Sequence, residues 1–418
     1  MFSFLYPFLT FLQPGMLWPD LVDLRPAIVA AVVSLVFGLS MKSSYARGQA
    51  FKSKPFVYLS LFLLAQALSL YSSGVSSIID EFAFWFPFWM FVVVSIVLMP
   101  NAQSLRRYVW GMIVGAMVVV IYGIYAVPAW GGYEGTGRAG AYGMYDNHND
   151  YSFIIIQIVP FIYMFWRIEV GRIRRWLLLF SLLACSLGIA MSMSRGGMIT
   201  LVVQGALIVI MGMEGRRRLW LLPALALVGS AAIAFQYAQR AENQGDRYTA
   251  EDAESSRYEL WKAGGNMVLA KPVLGVGSRR FYEHSMNYYD LADSQKGKNS
   301  HNTFIEILAG SGLVGFLTFV LSGRNLTREL RRRPTVKLSP FIDATRKATV
   351  IAMYSIVLRA LLDAKIYDWC FYTMGAIGIA CFMIMRAEEA AAEKAAVPSE
   401  EPTAPPQGVP DTLRYHPR

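Results

Sequence analysis

Three residues, far apart in the chain, have the types and settings to bind an anion and to move a proton. Arg195 stands in Ser192-Met193-Ser194-Arg195-Gly196-Gly197, Arg257 in Ser256-Arg257-Tyr258-Glu259, and His301 opens His301-Asn302-Thr303-Phe304-Ile305-Glu306. Arginine forks match phosphate oxygens two at a time, so they suit an anion such as a phosphate. Histidine, with an ordinary pKa of about 6.5, exchanges a proton near neutrality. Each residue also has a plainer account. Arg195 is then an arginine snorkelling to an interface, Arg257 a solvated partner of Glu254, and His301 a satisfied polar residue between loop and helix.

Other residues could support such a site. Arg138 lies in Gly135-Thr136-Gly137-Arg138-Ala139-Gly140, ahead of Asp146-Asn147-His148-Asn149-Asp150, and either binds an anion or pairs with Asp146 or Asp150. His148, with no second histidine nearby, reads as part of a helix start rather than a metal ligand. The Ser256–Glu259 spacing is that of a capping box, which puts Arg257 in a first helical turn beside free N–H groups. Tyr258, Trp261, Gly265 and Val268 or Leu269 then form one apolar face, to lie on the membrane or on the helix bundle. Lys271-Pro272-Val273-Leu274-Gly275-Val276-Gly277 ends that helix, and Arg279 and Arg280 after it are secondary anion ligands. At the seam around His301, where the polar loop ends and the next helix begins, Asn302 or Thr303 caps that helix, and Asn302 or Glu306 holds the His301 ring. Gly310, Gly312 and Gly315 permit close helix packing, and Arg359 with Asp363 makes an internal ion pair.

These residues need a scaffold, and the composition names it. Of 418 residues, 55% are hydrophobic and only 16% charged, with a mean hydropathy of +0.38. Apolar runs have the length that crosses a bilayer as helix. The expectation is an all-α polytopic membrane protein with about twelve transmembrane helices. They fall near 2–18, 26–41, 55–71, 83–99, 108–128, 151–167, 176–193, 197–213, 218–236, 304–322, 346–362 and 368–385. Nine of these helices make up residues 1–236, a long outer loop with short helices occupies 237–303, three helices fill 304–386, and 387–418 is a disordered tail. Residues 1–12 have neither a basic start nor a small-residue cleavage site, so they belong to the first span.

Charge sets the orientation. One set of alternate short loops carries 21 Lys and Arg, including Arg331-Arg332-Arg333, while the other carries four: Arg25, Arg138, Arg195 and Lys365. By the positive-inside rule the termini are cytoplasmic, and Arg195, Arg257 and His301 share the outer face. The net charge of +10 therefore marks topology, not nucleic-acid binding. Cys185, Cys370 and Cys381 lie in apolar runs and read as small core residues, with no disulfide and no metal site. A transporter or lipid-glycan flippase would place ionisable groups at the midplane and repeat its halves. The chain has few such groups and no evident repeat.

The motifs occur in a familiar order. Ser194-Arg195-Gly196-Gly197, then Ser256 to Trp261, Pro272 to Gly277, and His301-Asn302 followed by Gly312-Leu313-Val314-Gly315 resemble the landmarks of bacterial O-antigen ligases and their polymerase relatives. Phe316 and Leu317 depart from the Thr-Thr that some ligases have there. The resemblance implies a metal-independent, cofactor-free glycosyltransferase of the bacterial inner membrane, with its site facing the periplasm. It implies an undecaprenyl-diphosphate-linked glycan as donor and the lipid A core as acceptor, among membrane lipids. Arg195, Arg257 and His301 would be the essential residues. An O-antigen polymerase or a protein O-oligosaccharyltransferase shares these marks.

Overall fold

The structure is a computed structural model that describes residues 1–21, 26–40, 45–71, 74–213, 215, 220–231, 234, 250–293 and 295–396. Helix is the regular structure throughout the described residues. The first half holds α1 (Phe2–Leu12), α2 (Pro14–Leu17), α3 (Pro26–Ser40), α4 (Tyr45–Lys52), α5 (Lys54–Leu68), α6 (Val75–Leu98) and α7 (Ala102–Trp130). Then come α8 (His148–Ile168), α9 (Arg172–Ser192), α10 (Arg195–Gly212) and α11 (Trp220–Ala231). Last are α12 (Ala250–Ala270), α13 (Phe281–His284), α14 (Thr303–Arg331), α15 (Pro340–Ala360) and α16 (Trp369–Ala396). Seven described helices are long and apolar enough to cross a membrane, and helices 28–38, 54–68 and 220–231 are apolar but shorter.

Local chemistry explains where helices depart from expectation. The first apolar run is not one helix over 2–18. Gln13 takes left-handed backbone at φ 49°, and Pro14, which lacks an N–H, starts the separate α2. At the other end, helix continues past residue 387 to Ala396, because acidic side chains anchor it. Glu389 accepts from Arg332 at 2.5 Å and from the Thr335 N–H, and Glu388 from the Ser339 N–H and hydroxyl. Residues 397–418 lie outside the described residues, as do Arg25, the Cys370 side chain and most of 232–249.

Two packing relations position the site. α14 runs antiparallel to α5, with the Ser322 hydroxyl donating to Pro55 O and Gln66 Nε2 to Ser311 Oγ. α15 lies against α8, and α10 against both. The segment after α12 has a small core of its own, in which Leu260, Ala263 and Met267 pack with Phe281, Leu291 and Ala309. Tyr258 and Leu269 are exposed, so the buried face of α12 is not the Tyr258 face that the spacing picks out.

α14 is a broken helix. Gly312 sits at φ 63°, ψ −164°, a conformation open in practice only to glycine, and a Cβ there would meet Val273 O at 2.3 Å. The break frees backbone groups on both sides, and the 272–277 segment satisfies them. Val276 and Gly277 N–H donate to Ala309 and Gly310 carbonyls at 2.9 and 3.0 Å, while Leu313 and Val314 N–H donate to Pro272 and Val273 carbonyls at 2.8 and 3.2 Å. Such groups left unpaired in a membrane would each cost several kcal/mol, roughly, which forces the loop into the helix. The role of Gly312 is thus to interrupt α14, beyond easing helix contact.

Candidate functional site

The break leaves a short helical segment, from Thr303, that carries the seam. Asn302 is its N-cap, accepting from Phe304 and Ile305 N–H at 3.0 and 3.2 Å. A cap of this kind stabilises a helix by about 1 kcal/mol. Glu306 is buried and turns back to the loop, accepting from the Ser300 N–H at 3.2 Å and its hydroxyl at 2.8 Å. Asn302 and Glu306 both fix the chain around the imidazole, and Glu306 lies near enough for the His301 charge to act on its carboxyl. His301 itself is held at φ 51°, a strained setting for a residue with a Cβ, and its side chain is 42% exposed.

The ring's partner is Asp363. His301 Nδ1 lies 3.6 Å from Asp363 Oδ1, within ion-pair range. Oδ2 of the same carboxylate faces Arg359 Nη2 at 3.4 Å and Lys365 Nζ at 3.3 Å, and Lys365 also pairs with Asp150 from α8. Burial by itself would raise the Asp363 carboxyl, but His301 and Arg359 outweigh it and hold it below the usual carboxylate range. The backbone ties the same parts together. Thr303 N–H and hydroxyl donate to Asp363 O, and Lys365 N–H donates to Thr303 Oγ1.

Arg359, almost fully buried, joins the remaining pieces. Gly196 lies against its guanidinium so closely that a Cβ would be 2.7 Å from Nη1. Arg195 is the first residue of α10, next to that contact, in a turn where Ser194 Oγ accepts from Gly197 N–H and donates to Asn149 Oδ1. Arg257 is near enough for its charge to oppose that of Arg359. One turn further along α12, Trp261 Nε1 donates to Ser300 O at 3.0 Å, which docks the helix onto the seam. Arg257 is not in a first turn, however. α12 already begins at Ala250, so no free N–H groups join it and the capping-box expectation at Ser256 fails.

Residues 179–320 match the model of the O-antigen ligase family. This stretch is an O-antigen ligase family domain. No curated protein matches the chain. The ligase domain contains Arg195, Arg257 and His301, but Asp363, Arg359, Lys365 and Asp150 come from outside its limits. The carboxylate that faces the His301 ring and the charges behind that carboxylate are therefore supplied by α8, α15 and the turn after α15. Among the described residues no three or more His, Cys, Asp or Glu gather as a metal-ligand set.

The other candidates have local duties in the fold. Arg138 donates from Nε to Ser192 O and from Nη2 to Met193 O, both at 3.2 Å, so it braces the end of α9 and the turn that presents Arg195. Arg279 forks onto the buried Glu81, its nearest contact 2.8 Å, and covers the Phe84 ring at 3.8 Å. Arg280 pairs with Glu283 at 3.4 Å, exposed on both sides. Asp150 pairs with Lys365. Lys365 had a visible signal, as one of four bases against the charge rule. Asp363 had a weaker one, an acid four residues from Arg359 in an apolar stretch.

Proposed function

We propose that the protein transfers a glycan from an undecaprenyl-diphosphate carrier to the sugar hydroxyl of lipid A core, as an O-antigen ligase of lipopolysaccharide biosynthesis. What supports this reading is that His301 faces Asp363, that Arg359 pairs with the same carboxylate and packs against Gly196, the neighbour of Arg195, and that the charge of Arg257 reaches Arg359. Arg195 and Arg257 hold the diphosphate and offset the charge that develops as it leaves. His301 Nε2 takes the acceptor hydroxyl's proton as that oxygen attacks the sugar carbon and the carbon–phosphate oxygen bond breaks. Asp363 orients the ring through Nδ1 and steadies the imidazolium that forms. A single displacement inverts the sugar carbon. The arginines take the part that a divalent ion would otherwise play, so the transfer is metal-independent.

In this reading the chain crosses the inner membrane about twelve times, the three short apolar helices, α1 and α15 included, with both termini cytoplasmic. The loop between α11 and α14 then faces the periplasm and roofs the cleft. The reading is supported by the ligase domain, by the charge distribution and by the position of the bases that oppose it. An assay of purified protein tests it. Undecaprenyl-diphosphate glycan is supplied with lipid A core, or with excess donor alone, in the presence of a chelator. Glycan on lipid A core is the expected product. Growth of the donor chain alone would make the protein a polymerase, and no product with either acceptor would contradict glycan transfer.

A further inference from the structure

At the far end of α14, about 30 Å from His301 by the helical rise, the molecule opens a different kind of site. A basin of about 1150 Å³ lies between α4, α5, α14 and α16, and its walls carry Lys52, Lys54, Arg324, Arg328, Arg331 and Arg386. Glu329 takes Arg386 at 2.8 Å, and Arg331 donates to the Tyr354 hydroxyl at 2.9 Å. Among the described residues, Lys52, Lys54, Arg324 and Arg328 face no acid within ion-pair distance. The positive-inside rule explains why bases are numerous at this end. It does not explain why they line a concavity, where like charges repel and an anion is attracted.

A second cavity adjoins the first. It measures about 300 Å³, is almost wholly apolar, and runs between α14, α15 and α16 past Phe319, Met353, Phe371 and Met374. Arg324, Thr327 and Tyr354 line both spaces, so the apolar slot opens at the basin's edge. Gly323 and Gly375 face it, and a Cβ at either would meet nothing within 4 Å.

We infer that this end of the bundle binds an acidic glycerophospholipid, with its phosphate headgroup in the basin and an acyl chain in the slot. The two spaces match the two halves of one amphiphile. Arg324 and Arg328, four residues apart on one helix face, offer forks to phosphate oxygens, and Lys52 and Lys54 close from across the basin. The slot gives the chain an apolar lining that a free anion has no use for. This inference does not depend on the chemistry at His301.

The test uses the full-length protein purified in a non-ionic detergent. It is titrated with phosphatidylglycerol, with phosphatidylcholine of the same chain length, and with inorganic phosphate. Binding is read by native mass spectrometry and by the melting temperature. Phosphatidylglycerol should bind saturably and raise the melting temperature, while the other two leave it unchanged. Arg324→Glu with Arg328→Glu should weaken phosphatidylglycerol binding at least tenfold. The Gln pair replaces it if the Glu pair does not fold. Gly375→Leu, which fills the slot, should weaken binding comparably with every headgroup base intact. Equal retention of phosphatidylcholine, an equal shift with inorganic phosphate, preferential retention of a neutral polyprenol, or undiminished binding by both variants would overturn the inference.

Discussion

Arg279 and His301 bracket the segment that carries Phe281 and Leu291 into the small core and leads to α14, and they solve a similar problem in opposite ways. Both are non-glycine residues in left-handed backbone, at φ 59° and 51°, and both face a largely buried carboxylate. At Arg279 the arrangement is closed. Two guanidinium nitrogens fork onto Glu81, Trp85 Nε1 donates to the same carboxylate, and Phe84 covers the cation. At His301 the arrangement is open. The ring stands 3.6 Å from one oxygen of Asp363, Arg359 and Lys365 neutralise that carboxylate from behind, and the imidazole, about as exposed as Arg279, has neither a bidentate fork nor an aromatic cover among the described residues. Closed geometry makes a clamp, while open geometry with a charged support behind it leaves a ring free to meet a substrate.

The comparison can be broken at its shared foundation first. Both sites depend on the interrupted α14, so Gly312→Val should have the largest effect. A Cβ inside van der Waals range of Val273 and a forbidden backbone angle together should cost more than ~3 kcal/mol, seen as a melting temperature too low for purification of folded protein. A Val variant that melts like the wild type would mean that the loop does not lock the break.

A smaller effect separates the clamp from the open site. Arg279→Ala removes the fork from a buried carboxylate. A fully buried pair would lose about 3–5 kcal/mol, and the exposure of Arg279 brings the expectation down to about 2 kcal/mol. Transfer per folded molecule should stay within about twofold, since the clamp is not expected to touch substrate. Lost transfer with unchanged melting would move Arg279 into the site.

The helices were largely legible in the sequence, because long apolar runs with helical caps leave little choice of structure. The seam was legible too: Asn302 caps α14 as its residue type suggests. What escaped was long-range. Gly312 gives no local sign whether it serves close packing or interruption, since the deciding partners are Val273, Val276 and Gly277, some forty residues earlier. Asp363 and Lys365 follow the seam by about sixty residues, and only the antiparallel return of the chain brings them to His301. The Ser-x-x-Glu pattern at Ser256 suggests a first turn for Arg257, but such a pattern can lie inside a helix as well as at its start, and α12 begins at Ala250. Arg138 and Arg279 bear the same charge as Arg195, and nothing in their flanking residues tells that carbonyls and Glu81 engage them.

The open site is decided most directly by one measurement. His301→Ala is purified, shown to melt near the wild-type temperature, and assayed for glycan transfer from the undecaprenyl-diphosphate donor to lipid A core. A proton acceptor contributes on the order of 10²–10⁴ in rate, so transfer should fall at least a hundredfold. Transfer within a few-fold of wild type would contradict a role for His301 in the reaction.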